Sequence, residues 1–140
     1  MPDEQNIKKQ IGIIQKILDI FRQIFNLQTQ LEKQQLEEMI RKIAKEEGVD
    51  DEVLLAVIKC ESGLNPKAIN KNPNGTTDYG IIQANSYWYI EKMRLLTIDE
   101  ALNNPEKCVR IMAKRFKQGA ADDWICFKTG RYIPFLKVGY

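Results

Sequence analysis

The chain has 140 residues, 44% of them hydrophobic, which is enough for one core and too little for two full domains. Eight glycines and five prolines do not make a disordered composition, and a net charge of +2 argues against non-specific nucleic-acid binding. With no histidine, Ser–His and Cys–His nucleophilic sites and His-bearing zinc sites are excluded. Cys60, Cys108 and Cys126 lie too far apart for metal or redox motifs, so no metal or cofactor is expected.

From Asp3 to Glu47 there is no proline. Apolar residues fall at Ile7, Ile11, Ile14, Leu18, Phe21 and Phe25, in alternating steps of four and three. A second such seam runs through Ile13, Ile17, Ile20, Ile24, Leu27 and Leu31. This predicts an amphipathic helix with an apolar face wider than one shallow contact needs. Lys16, Asp19 and Arg22 interrupt the apolar stretch, so it reads neither as a signal peptide nor as a membrane-spanning helix, and no export route is visible. The face has three possible fates. Packing within the chain ranks first, self-association close behind, and a membrane surface last, because Lys8, Lys9, Lys16, Arg22 and Lys33 are nearly cancelled by Asp3, Glu4, Asp19 and Glu32. The seams fade over the polar stretch Thr29 to Gln35, which reads as a hinge or boundary. The expected domains are therefore a helical extension over 1–34 and a globular domain over 35–140.

A second helix is expected from about Lys33 through Ala44, ended by Gly48. Asp50 then suits an N-cap for a helix over Asp51 to Cys60, with Leu54, Leu55, Val57 and Ile58 inward and Asn65-Pro66 as its stop. Residues 67–82 read as a β-hairpin around the turn Asn72-Pro73-Asn74-Gly75. Helices follow at roughly 86–95, 97–102, 105–118 and 122–128. Thr97 with Glu100 forms a capping box, and Asn104 caps a helix with Pro105 in its first turn. From Lys107 onward there are eight Lys or Arg against two Asp, which suits an anionic polymer and equally an ordinary solvated surface.

Glu61 ends the helix of 51–60 among Val57, Ile58, Cys60 and Leu64. A carboxyl group desolvated in this way has a raised pKa and can donate a proton near neutral pH. Alone, a Glu at a helix end is usually a surface residue. The segment Glu61-Ser62-Gly63-Leu64-Asn65-Pro66-Lys67-Ala68 is more specific, because it resembles goose-type lysozymes and soluble lytic transglycosylases. Thr76 to Tyr89, T-T-D-Y-G-I-I-Q-A-N-S-Y-W-Y, resembles the chicken-type lysozymes. Both belong to the lysozyme superfamily, and Glu61 to Tyr89 aligns with the chicken-type pattern without a gap.

The resemblance implies an α+β, mainly α, lysozyme-like fold with a small β-hairpin lobe beside the N-terminal helical extension. It implies cleavage of peptidoglycan glycan strands at the cell wall, with Glu61 and Asp78 as the catalytic pair. One carboxyl would be dry and the other hydrogen-bonded. Asn70 and Asn72 match family positions able to hydrogen-bond Asp78. Gln83 and Asn85 resemble residues that orient a sugar acetamido group, or else they close the hairpin. Trp88 matches a sugar platform or packs in the core, with Tyr87 and Tyr89 as weaker candidates. Trp124, opening W-I-C-F-K-T-G-R-Y, resembles the Trp that shields the acid, with Phe127 on the same helical face, and Tyr132 lines the cleft or simply packs. Cys60 and Cys126 then converge near the acid, as a disulfide or as two buried thiols.

The chain departs from both branches. It lacks the chicken-type disulfide framework, and it has a second carboxylate that the transglycosylase pattern usually lacks. Three activities remain open: a muramidase, a lytic transglycosylase forming 1,6-anhydro products, and an inactive glycan-binding or scaffold module. An intact Glu61 argues against the last.

Overall fold

The computed structural model describes Met1 and residues 3–137. Pro2 and the last three residues of the expected 35–140 domain lie outside the described residues. The chain divides into two compact units, Met1–Gln35 and Leu36–Tyr140.

One helix, α1 (Glu4–Glu47), runs through the polar stretch where a break was expected. The stretch stays helical because Gln, Glu, Lys and Leu are good helix formers. Thr29, the β-branched exception, turns its hydroxyl back to donate to the carbonyl of Phe25. Gly12 sits inside the same helix, where a Cβ would meet nothing within 4 Å. In the first unit all twelve seam side chains are 40–68% exposed.

In the second unit α1 buries Ile40, Ile43 and Ala44. Helix α2 (Asp51–Ser62) begins at Asp50, whose carboxylate accepts the N–H of Val53. Asp51 and Glu52 both hold Arg41, at 2.8 and 2.7 Å, which ties the last turns of α1 to the first turn of α2. Leu54, Leu55, Val57 and Ile58 are buried as expected. The helix ends at Gly63, not at Asn65-Pro66. Gly63 takes φ 62° and returns its N–H to Lys59, a left-handed cap that glycine makes at least cost. Glu61 therefore lies in the last turn of α2.

The hairpin is larger than expected. Strands β1 (Ile69–Lys71), β2 (Thr77–Tyr79) and β3 (Ala84–Asn85) form an antiparallel sheet in that order, with Asn70 opposite Asp78 and Asp78 opposite Asn85. A π-helical segment follows over Ser86–Lys92, in place of the expected longer helix. Its wide turn is seen where Met93 N–H reaches the carbonyl of Trp88. Helix α3 (Ile98–Asn103) has the expected Thr97–Glu100 capping box, and α4 (Pro105–Lys117) has the expected Asn104 cap. The last expected helix is split. A 3-10 turn, Ala121–Asp123, and the short α5 (Ile125–Lys128) flank an extended Trp124, and a further 3-10 turn spans Ile133–Phe135.

Helices thus dominate, and one small sheet stands beside them. The core gathers α1, α2 and α4 around Ile81 and Ile82, the two fully buried residues between β2 and β3. No helix among the described residues is long and apolar enough to cross a membrane.

Candidate active site

A cavity of about 460 Å3 opens between the end of α2, the sheet, the π-helical segment and Trp124. Of the residues singled out in the sequence, Glu61, Asp78, Gln83, Asn85, Trp88, Tyr89 and Trp124 line it. Lys92, Met93, Arg115, Asp123 and Ile125 complete the lining and had not been singled out.

Glu61 Oε1 accepts the backbone N–H of Cys126 at 2.9 Å. Burial pushes the Glu61 carboxyl above its ordinary range. The Cys126 N–H pulls the other way, and the charge of Asp78 adds to the rise. A disulfide joins Cys60, adjacent to Glu61, to Cys126. It fixes the donor segment to the helix that carries the acid. Ser62, the next residue, donates to the Ile81 carbonyl at 2.7 Å, so the end of α2 is also fastened to the chain just beyond β2.

Asp78 sits in the middle of β2. Its two oxygens accept from Asn72 at 2.9 Å and from Asn85 at 2.8 Å. Asn85 has a second duty: its side-chain oxygen accepts the N–H groups of Tyr87 and Trp88, starting the π-helical segment. The amide that holds Asp78 thereby also sets the start of the segment carrying Trp88. Asn70 does not reach Asp78; it donates to Gln83 Oε1 at 2.7 Å. Gln83 is 8% exposed, and its amide donates to the carbonyls of Gly80 and Ala68. Its polar atoms are thus engaged within the hairpin.

Trp124 is 3% exposed, with its indole N–H on the carbonyl of Ile82 at 2.7 Å and its ring against Tyr89 and Phe116. Trp88 is 50% exposed, and the Lys92 ammonium lies 4.6 Å from its ring centroid. Tyr89 is buried, and its hydroxyl donates to Asp123, which also accepts from Arg115. Burial and the Asp123 carboxylate together push the Tyr89 phenol well up. Tyr132 is not part of the lining; it stacks on Phe127 at 5.3 Å. Phe127 in turn lies edge-on to Phe116. Lys92 falls four residues past Trp88, which a helical reading places on the same face, and Asp123 immediately precedes Trp124. Neither position belonged to a motif that would have marked it.

The disulfide closes a separation of 66 residues. Cross-links of this span add about 2–4 kcal/mol, largely by restricting the unfolded chain. Replacing Cys60 and Cys126 with serine is expected to lower the melting temperature by roughly 10 °C. Scanning calorimetry of the two proteins side by side checks this, and an unchanged melting point would remove the bridge from the stability of the fold.

Comparison with known proteins gives consistent matches. Residues 38–124 match the transglycosylase SLT domain family. The chain is 32% identical over 91 residues to lysozyme c-1 of Anopheles gambiae, covering 57% of this chain and 64% of that one. It is 30% identical over 64 residues to invasion protein IagB of Salmonella typhimurium, covering 46% and 39%. It is 55% identical over 31 residues to lysozyme C-1 of Anas platyrhynchos, covering 22% and 21%. In each case the match spans less than two thirds of the relative's length.

Proposed function

The chain belongs to the transglycosylase SLT domain family, and from that premise we propose that it cleaves peptidoglycan glycan strands at the bond between N-acetylmuramic acid and N-acetylglucosamine. The observation that carries this reading is the pair of unlike carboxyl groups lining one cavity. Glu61 is half-buried with its pKa raised, while both oxygens of Asp78 accept amide hydrogen bonds. Two carboxyls in contrasting surroundings divide the labour of glycoside cleavage. Protonated Glu61 gives its proton to the bridging oxygen as the C1–O bond breaks. Asp78 stabilises the positive charge that develops at the sugar ring, or bonds to it. Water then adds to C1 and returns a proton to Glu61. Trp88 offers an exposed ring to a pyranose, and Trp124 walls the cavity. Action at the cell wall, outside the cytoplasm, follows from that substrate.

The family match and the similarity to IagB favour a second reading, lytic transglycosylation. There the 6-hydroxyl of the muramic acid attacks C1, and Glu61 acts first as acid and then as base. Hydrolysis ranks first because Asp78, held by Asn72 and Asn85, is equipped for a role that transglycosylation needs less. Digestion of purified peptidoglycan followed by mass analysis separates the two, since hydrolysis adds one water to each product and transglycosylation does not.

The same choice sets the expectation for Asp78→Asn. The hydrolytic reading predicts a loss of about 100-fold in turnover. A loss of only a few-fold, together with 1,6-anhydro products, would identify a transglycosylase.

A further inference from the structure

The first unit ends in no site, yet it carries the most regular pattern in the molecule. We infer that the first unit assembles with other copies of itself into a helical bundle of three or more chains. Ile, Leu and Phe alone occupy the two seams between Ile7 and Leu31, and every one of these side chains is exposed. At 3.6 residues per turn the two seams lie side by side and together cover about 200° of the helix, well beyond the roughly 100° stripe of a surface helix.

The period points to what covers them. Both seams repeat every seven residues. On a straight helix such a seam drifts by about 20° per heptad, or roughly 50° over the 18 residues that each seam spans. A flat bilayer or a straight surface cannot follow that drift. A neighbouring helix that supercoils with it would not. The charges point to the same chain as that neighbour. No charged residue interrupts either seam, so like pairs with like without repulsion. The nearby charges Lys8 and Arg22 already pair with Glu4 and Asp19 on their own helix, at 2.8 and 3.2 Å. A foreign helix selected by charges flanking the seam would find these two engaged. Twelve side chains about half exposed offer on the order of 1,000 Å2 per copy, against the ~800 Å2 per partner of a standard interface. A two-stranded coil buries one seam and leaves the other wet. With two adjacent seams each helix takes two neighbours, and such contacts close into a ring of at least three.

Light scattering on the full chain at tens of micromolar tests this. The expected mass is at least three times that of one chain. Leu18→Glu with Ile24→Glu puts one charge in each seam and is expected to reduce the mass to that of a single chain. A monomer or a dimer from the unsubstituted protein would overturn the inference. So would an assembly that the double variant leaves intact, since another surface would then hold it. A parallel sample with vesicles of phosphatidylglycerol and phosphatidylcholine covers the remaining occupant: a chain that is monomeric in buffer and sediments with vesicles is a membrane-surface protein, and the inference fails.

Discussion

Glu61→Gln is expected to leave a folded protein whose clearing of purified cell walls falls by up to about 10⁴-fold. The amide keeps the size of the side chain, and its oxygen can still accept the Cys126 N–H that Glu61 Oε1 accepts at 2.9 Å. What it loses is the proton. Burial is the main cause of the raised pKa of Glu61, so the acid form persists above the ordinary carboxyl range. Lysis should therefore fade as pH rises through that raised value. The stability this group contributes has the same sign. It is fully present below the unfolded pKa and is lost as pH rises through the folded one, because the buried form is then charged. The Gln variant should lack both dependences at this position. Turbidity assays and thermal unfolding across the pH range measure them together. A variant that folds and still lyses walls at the original rate would remove Glu61 from the mechanism.

The largest effect on stability is expected at Gly80. Its φ is +76°, and a Cβ there would lie 1.8 Å from the backbone oxygen of Ala101 and 2.9 Å from its carbonyl carbon. Neither is the movable end of a side chain. Left-handed backbone costs a residue with a side chain about 1–3 kcal/mol, and forcing atoms into packed space costs about as much again. Gly80→Ala should thus cost about 4 kcal/mol or more, against the 5–15 kcal/mol that holds a typical domain. The turn it sits in follows Tyr79, the neighbour of Asp78 on β2, and its carbonyl accepts two hydrogen bonds from Gln83. Activity should fall with the fold. Gly48→Ala is the control: φ is +74°, but a Cβ would meet nothing within 4 Å. It should show only the conformational part, about 1–2 kcal/mol. Urea unfolding of both variants separates strain from collision, and equal costs at the two positions would show that the approach of Ala101 relaxes freely.

Features set by neighbouring residues were legible in the sequence. Asp50, Thr97 with Glu100, and Asn104 cap their helices because a cap joins a side chain to a backbone N–H only three residues on. The seams of α1 were legible for the same reason, although good helix formers carried the chain through the stretch read as a boundary. What was hidden depends on distant contacts. Ala84–Asn85 pair as a third strand only because β2 is already in place. Trp124 breaks the last expected helix by turning into the core to reach the Ile82 carbonyl. The cavity followed the motifs closely where they were longest, bringing Glu61 and Asp78 together. It departed from them where single residues were assigned alone, as with Asn70, which holds Gln83, and Tyr132, which packs on Phe127.

The bridge between Cys60 and Cys126 makes the intervening chain a covalent loop, and every residue lining the cavity lies on it, from Glu61 immediately after one cysteine to Ile125 immediately before the other. A protease that cuts once anywhere inside that loop opens it without setting a fragment free. The two pieces stay joined beside the acid and separate only when a thiol is added. A chain nicked at a hairpin tip or an exposed turn would thus still keep all its cavity residues in one molecule.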